Sequence, residues 1–275
     1  MNVRTLHGIP LLALATLTLT VSACARISPQ QEAAMGLDYS QQINAQLPIV
    51  RDPDVNAYIN RLGESLTVRV DDQSRNWRFS IVDAPEINAF AVPGGYIYVN
   101  KGLILKAQTL SQLAGVLAHE IAHVTQRHSV KQMEKGQKVG LGATLACVLT
   151  PSFCQNGGGT LLNIGANAVM AKFSRGDEAE ADQFGVKYVL RARLDPRGLP
   201  EMFEIMLAER DSKGGGSVSW LSSHPVEETR IQATRRAIAA LPAGSLRGVT
   251  RDTPAFQDFK ARLRSLPQTP KPAAR

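Results

Sequence analysis

His119, Glu120 and His123, in the run HEIAH within LAGVLAHEIAHVTQRHS, are the residues whose types and spacing most directly specify chemistry. On a helix, side chains four residues apart leave from one face, so two imidazole nitrogens can reach a single Zn²⁺ ion. Glu120 stands between them, placed to take a proton from a water that the metal activates. The same five-residue pattern also arises by accident on solvated helices. Here Leu113, Val116, Leu117, Ile121 and Val124 recur at helical spacing, which predicts a buried apolar face with the histidines along its border. A histidine pair at a buried edge is costly without compensation, and a metal supplies it.

Two histidines leave a catalytic zinc one protein ligand short. In the later run SRGDEAEAD, Glu178 and Asp182 share a helix face, so one carboxylate can bind metal while the other orients an imidazole. Glu180 is the rival by proximity, but the residue four positions ahead of it is Phe184, so it lacks a paired acid.

The elements that must carry these groups are legible in outline. Ser28-Pro29-Gln30-Gln31 is a helix start with a capping box, and the helix runs to about Leu47. Asp52-Pro53 opens a second helix with the stripe Val55, Ile59, Leu62 and Leu66. From Trp77 to Asn100 the period becomes two, with the turn Pro93-Gly94-Gly95 between two strands. Two readings of these strands stay open: an ordinary structural hairpin, or an exposed edge that holds an extended peptide through its main chain. The resulting class is α+β, mostly helical, with a small, mainly antiparallel sheet beside the HEIAH helix. Lys131–Lys138 is expected to be polar and exposed. Val139–Leu149 and Thr160–Val169 are apolar but shorter than a membrane span, and are read as buried helices or as a flap. Ser174 caps a helix to about Arg191, Asp195-Pro196 begins the next, and Gly214-Gly215-Gly216 is a flexible linker to Ser222-Ser223-His224-Pro225. Pro225 is expected to open a helix to about Ala240.

The first residues have one arginine, an apolar stretch from Ile9 to Val21, and then small residues, which is the anatomy of a secretory signal over 1–23. The stretch ends in Val21-Ser22-Ala23-Cys24, which resembles a bacterial lipobox, with Cys24 the lipidation site; a plain signal peptide is the other reading. Ala25 rather than an aspartate follows, which under the sorting rule of enteric lipoproteins implies the outer membrane facing the periplasm. The formal charge of +7 suits anionic lipid or lipopolysaccharide surfaces, and no basic-aromatic motif argues for nucleic acid. In an oxidising compartment Cys147 and Cys154 could close a disulfide or remain free thiols. Residues 24–241 are expected to form one domain, followed by a basic, partly disordered tail over 242–275. In that tail Phe256, Phe259 and Leu263 are expected to form one amphipathic helix, docked on the protein's own core or, in the other reading, bound to a surface.

HEIAH, SRGDEAEAD, NAFAVPGGYIYVNKGLI before them and SSHPVEETR after them together resemble the gluzincin-type zinc metallopeptidases of the HtpX, Oma and BepA/LoiP group, relatives of the CAAX prenyl proteases. The likeness spans most of the chain from the first helices onward. It implies one Zn²⁺ held by His119, His123 and Glu178, Glu120 as general base, and Asp182 supporting a zinc histidine. It also implies a role for His224 as a latch on the zinc; a donor to the oxyanion and a helix N-cap are its other readings. Arg230 is a candidate partner for an acid or the oxyanion. His128 also matches a family position, and its expected job is a structural hydrogen bond because it rotates away from the ligand face. The implied function is hydrolysis of misfolded or misassembled envelope proteins, with a chaperone or assembly factor for outer-membrane proteins as the alternative. Partners would be unfolded polypeptides, the membrane through the lipid anchor, and outer-membrane assembly machinery. No repeat of the tetratricopeptide period is visible, which favours a compact LoiP-like lipoprotein.

Overall fold

The computed structural model describes residues 26–68, 75–136, 172–213, 218–270 and 272. Residues 1–25, Cys24 among them, lie outside this set, as do Cys147, Cys154, the apolar stretches 139–149 and 160–169, and the linker at 214–217.

Helix α1 (Pro29–Gln46) starts as predicted: Ser28 Oγ accepts the Gln31 N–H at 3.2 Å, and the Gln31 side chain accepts the Ser28 N–H at 2.8 Å. Asp52 caps α2 (Pro53–Thr67) by accepting the Val55 N–H at 3.0 Å, and the stripe Val55, Ile59, Leu62 and Leu66 is buried. Three strands follow: β1 (Arg78–Val82), β2 (Ala89–Val92) and β3 (Tyr96–Asn100). The hairpin β2–β3 is antiparallel as expected, turning through Gly94 at φ 81°. The sheet as a whole is mixed rather than mainly antiparallel, because β1 pairs with β3 in parallel and the order is β1-β3-β2. After β1 the chain passes over one strand position before β2, and β3 then fills the gap. This leaves β2 at an edge.

After α3 (Lys101–Lys106) comes α4 (Leu110–Thr125), the HEIAH helix. Every residue from Leu110 to Val124 is buried, so the expected border position of the histidines is corrected. Helices α6 (Arg175–Arg191) and α7 (Gly198–Lys213) cover two flanks of α4, and β2 packs against it as well. The α4–α7 contact is backbone to backbone: a Cβ on Gly115 would lie 2.8 Å from Leu199 Cα, and one on Gly198 would lie 2.2 Å from the Ser111 carbonyl carbon. Between these helices, residues 128–136 form α5. Its Val130 and Met133 turn inward against Ile27, so within the described part of the stretch expected to be polar and exposed, residues 131–136, Met133 is buried.

Helix α7 begins at Gly198 rather than beside Pro196, because the Asp195 carboxylate accepts the Arg197 N–H at 3.0 Å and makes a turn first. The short α8 (Trp220–Ser223) precedes α9 (Glu228–Ala239), which starts three residues after Pro225. The extended stretch between them delivers His224 to α4. In α10 (Pro254–Ser265), Phe256, Phe259 and Leu263 are buried, and Phe259 stacks on Tyr58 at 4.3 Å. The amphipathic helix of the tail therefore docks on the protein's own core. Beyond it, the Thr269 N–H donates to Asp83 Oδ2 at 2.6 Å, so this part of the tail is ordered against β1. Among the described residues, no helix is long and apolar enough to cross a membrane.

Candidate metal centre

Two helices set the site. Ser174 caps α6 by accepting the Asp177 N–H at 3.1 Å while Asp177 accepts the Ser174 N–H at 3.2 Å, and this start turns Glu178 and Asp182 toward α4. The Nε2 atoms of His119 and His123 stand 3.0 Å apart. Glu178 faces both, with Oε2 3.6 Å from His119 Nε2 and Oε1 3.5 Å from His123 Nε2. His224 arrives from the α8–α9 connection with Nδ1 2.9 Å from Glu178 Oε1 and 3.3 Å from His119 Nε2. All four side chains are buried, and their ligand atoms lie within 4.8 Å of one another.

The support behind His119 decides what its Nε2 can do. Its Nδ1 lies 3.0 Å from Asp182 Oδ1, and Arg230 donates to both oxygens of Asp182 at 2.7 and 2.8 Å. Burial pushes the Asp182 carboxyl up, but the hydrogen bonds and charge of Arg230 outweigh it and hold it below its ordinary value. A carboxylate only accepts, and Asp182 Oδ1 at 3.0 Å is nearer to His119 Nδ1 than the Arg230 Nη2 donor at 3.4 Å, so the His119 proton sits on Nδ1 and Nε2 carries a lone pair. That lone pair points among Glu178, His123 and His224. Burial pushes the Glu178 carboxyl up as well, yet the charge of His224 overrides it and keeps Glu178 well below the usual carboxylate range. Burial likewise drives the His123 imidazole well below its ordinary value, which favours a neutral ring with a free nitrogen. Glu178 Oε2 touches Arg230 Nη1 as an ion pair at 2.5 Å but accepts no hydrogen bond of normal geometry. Acceptor atoms converging in a dry space repel unless a cation lies among them, so the donor set fits a metal ion.

Glu120, the next residue on α4, is also buried and accepts the Trp220 indole N–H at 2.8 Å. Trp220 in turn stacks on His224 at 4.5 Å between centroids, and His224 Nε2 lies 3.5 Å from Glu120 Oε1. Burial lowers the His224 pKa, but the charges of Glu120 and Glu178 outweigh it and raise it above the ordinary value. His224 ends α8, and Glu227 precedes α9, so the N-cap reading of His224 is overturned. Arg230 engages Asp182, Glu178 and the Pro225 carbonyl, and so partners acids rather than standing free for an oxyanion.

A cavity of about 200 Å³ opens onto the centre between Phe90 and Ala91 of β2 on one side and Ser222, Ser223 and His224 on the other, with Glu120 and His123 at its floor. A second cavity, of about 320 Å³, lies behind Glu178 between α6 and α9.

The structure thus brings His119, Glu120, His123, Glu178, Asp182, His224 and Arg230 together, while Cys24, Cys147 and Cys154 fall outside the described residues. It adds Trp220, for which an isolated aromatic a hundred positions from Glu120 carried no signal. It also places His128 Nδ1 2.9 Å from His123 Nδ1 and His128 Nε2 3.0 Å from Glu180 Oε2.

Residues 53–238, from α2 into α9, match the model of peptidase family M48, and the chain belongs to that family. It is 35% identical over 222 residues to the beta-barrel assembly-enhancing protease of Yersinia pestis, covering 78% of this chain and 45% of that protein. It is 29% identical over 213 residues to the mitochondrial metalloendopeptidase OMA1 of Schizosaccharomyces pombe (74% and 59% covered). To metalloprotease YcaL of Escherichia coli K12 it is 30% identical over 162 residues (59% and 62% covered). The chain spans about half the length of the curated relatives it matches.

Proposed function

We propose that the chain is a zinc-dependent endopeptidase of the bacterial envelope that hydrolyses peptide bonds in misfolded or misassembled periplasmic and outer-membrane proteins. The observation that carries this reading is the buried convergence of His119, His123 and Glu178 beside the carboxylate of Glu120. Those three side chains would hold Zn²⁺, which when bound polarises the scissile carbonyl and acidifies a water. Glu120 takes the proton of that water and returns it to the leaving amine. Asp182 and Arg230 keep the His119 proton on Nδ1. The edge of β2 at the cleft supports binding of an extended substrate through main-chain hydrogen bonds. His224, facing Glu178 and Glu120 at once, serves as a latch that must withdraw before a substrate carbonyl can enter.

The envelope setting rests on the leader and lipobox-like Cys24 and on relatives named as assembly-enhancing proteases. In this reading the acylated Cys24 tethers the enzyme to the outer membrane, near the machinery that assembles barrels. Glu120→Gln should keep the fold and zinc and lower turnover by ~10²–10⁴-fold. A purified, zinc-loaded variant that still cleaves unfolded polypeptide at the parental rate overturns the mechanism. If instead Glu120→Gln has lost turnover and still rescues the envelope defect of a deletion strain, an assembly role without proteolysis replaces the peptidase reading.

A further inference from the structure

We infer that His128 and Glu180 are positioning residues of the metal centre, a two-step hydrogen-bonded relay that fixes which nitrogen of His123 faces the ion. The inference rests on His123 being a ligand and goes beyond that assignment.

On a continuous helix, position 128 would point well away from the face of His123. The helix is not continuous. α4 ends at Thr125, and Arg127 adopts φ 56°, the left-handed region that a residue with a Cβ occupies at a cost of ~1–2 kcal/mol. That turn is held from outside: Arg127 Nε donates to Glu32 Oε2 at 2.7 Å, and Arg127 Nη2 donates to the Ile27 carbonyl at 2.6 Å. Its result is to swing the His128 ring back until its Nδ1 meets His123 Nδ1 at 2.9 Å, with the rings edge to face at 74°. The ring has no solvent exposure, although it carries two polar atoms that a purely space-filling residue would not need.

The direction of the relay follows from its outer end. His128 Nε2 faces two groups that only accept, Glu180 Oε2 at 3.0 Å and Asp177 Oδ1 at 3.8 Å, so Nε2 carries the proton. With that proton on Nε2, the His128 ring offers Nδ1 as the acceptor of the 2.9 Å contact, and His123 donates to it from its own Nδ1. The remaining nitrogen of His123, Nε2, is left as a lone pair, and it is the atom 3.0 Å from His119 Nε2. Asp182 fixes His119 in one step; Glu180 fixes His123 in two. Without His128, nothing in this relay holds the His123 proton on Nδ1, and the tautomer with Nε2–H would turn a hydrogen toward the ion.

Two substitutions separate this role from mere filling of space. His128→Phe keeps the ring volume and loses both hydrogen bonds. His128→Gln keeps one acceptor and one donor. The measurements are the zinc dissociation constant of the full chain, by competition with a chromogenic chelator, and the tautomer of His123 in the metal-free protein, from long-range ¹H–¹⁵N imidazole spectra. His128→Phe should weaken zinc ~10–100-fold and spread the His123 proton over both nitrogens, while His128→Gln stays within ~3-fold with the proton on Nδ1. Glu180→Ala, on a side chain 43% exposed, should weaken zinc by ~3–10-fold without loss of fold, and it carries the test if the Phe variant does not fold. Parental affinity in both His128→Phe and Glu180→Ala, or equal loss in the Phe and Gln variants, overturns the relay. His123→Ala is the control: if it keeps zinc, the ligand assignment itself fails, whereas its loss of zinc beside an unaffected His128→Phe refutes the relay alone.

Discussion

His119 and His123 stand one turn apart on α4, yet what lies behind each ring differs in depth. Behind His119 is a closed pair, Asp182 and Arg230, with side chains only 6% and 11% exposed and two hydrogen bonds between them. Behind His123 is an open chain, His128 and then Glu180, whose carboxylate is at the surface. The first support is a buried ion pair; the second ends in a group that water can reach. Solvent access is therefore unequal across one metal centre, and the support of His119 is the more enclosed of the two.

Asp182→Ala makes the strongest break in that comparison. It removes two charge-assisted hydrogen bonds from a buried Arg230, which keeps Glu178 and the Pro225 carbonyl, and it frees the His119 ring, so stability should fall by ~3–5 kcal/mol in chemical denaturation of the metal-free protein, with zinc affinity falling in parallel. The His128 variants described above should cost affinity with much less loss of stability. If Asp182→Ala unfolds no more easily than His128→Phe, the two supports are equivalent and the contrast is wrong. Trp220→Phe is next in size. The ring remains to stack on His224, but the buried Glu120 loses its indole donor, a cost of ~1–3 kcal/mol, and zinc affinity should not change.

The smallest effect belongs to a pair of the same chemistry placed away from the metal. Asp195 accepts from Arg197 Nε and Nη2 at 2.9 and 2.7 Å. Burial raises its carboxyl, but the Arg197 hydrogen bonds outweigh this and hold it below the ordinary 3.8. A depressed carboxylate contributes its full stability above the unfolded value and loses it as pH falls through the folded one. Asp195→Asn should thus lower Tm by a constant amount between about pH 5 and 7, equivalent to under ~1 kcal/mol because Arg197 is half exposed, and the gap should begin to narrow as pH falls through about 4. Zinc affinity should stay at the parental value. A change there would mean that the ion pair in the turn ahead of α7 also tunes the centre.

The reach of sequence reasoning follows the range of the interactions. Ser28, Asp52 and Ser174 were legible as caps because each completes a hydrogen bond three residues on. His119 with His123, and Glu178 with Asp182, were legible because helical spacing alone puts each pair on one face. The pairing of β1 was not, since parallel and antiparallel partners leave the same alternation in a strand. Pro225 looked like a first helical residue, but its carbonyl instead accepts Arg230 Nη1 at 3.0 Å, a contact made through the folded site. His128 was expected to point away because helical phase was carried through a turn whose cause, the Glu32 clamp on Arg127, lies 95 residues upstream. Glu180 was weighed as a rival ligand and set aside. As support for a ligand, it needed only one hydrogen bond and no paired acid.

The glycines at 115 and 198 have a consequence for how this centre can be altered. Most helix interfaces accommodate change by re-choosing rotamers, but where α4 meets α7 there are no side chains at these points to re-choose. A library of substitutions along that seam should yield non-folding clones rather than shifted metal geometries.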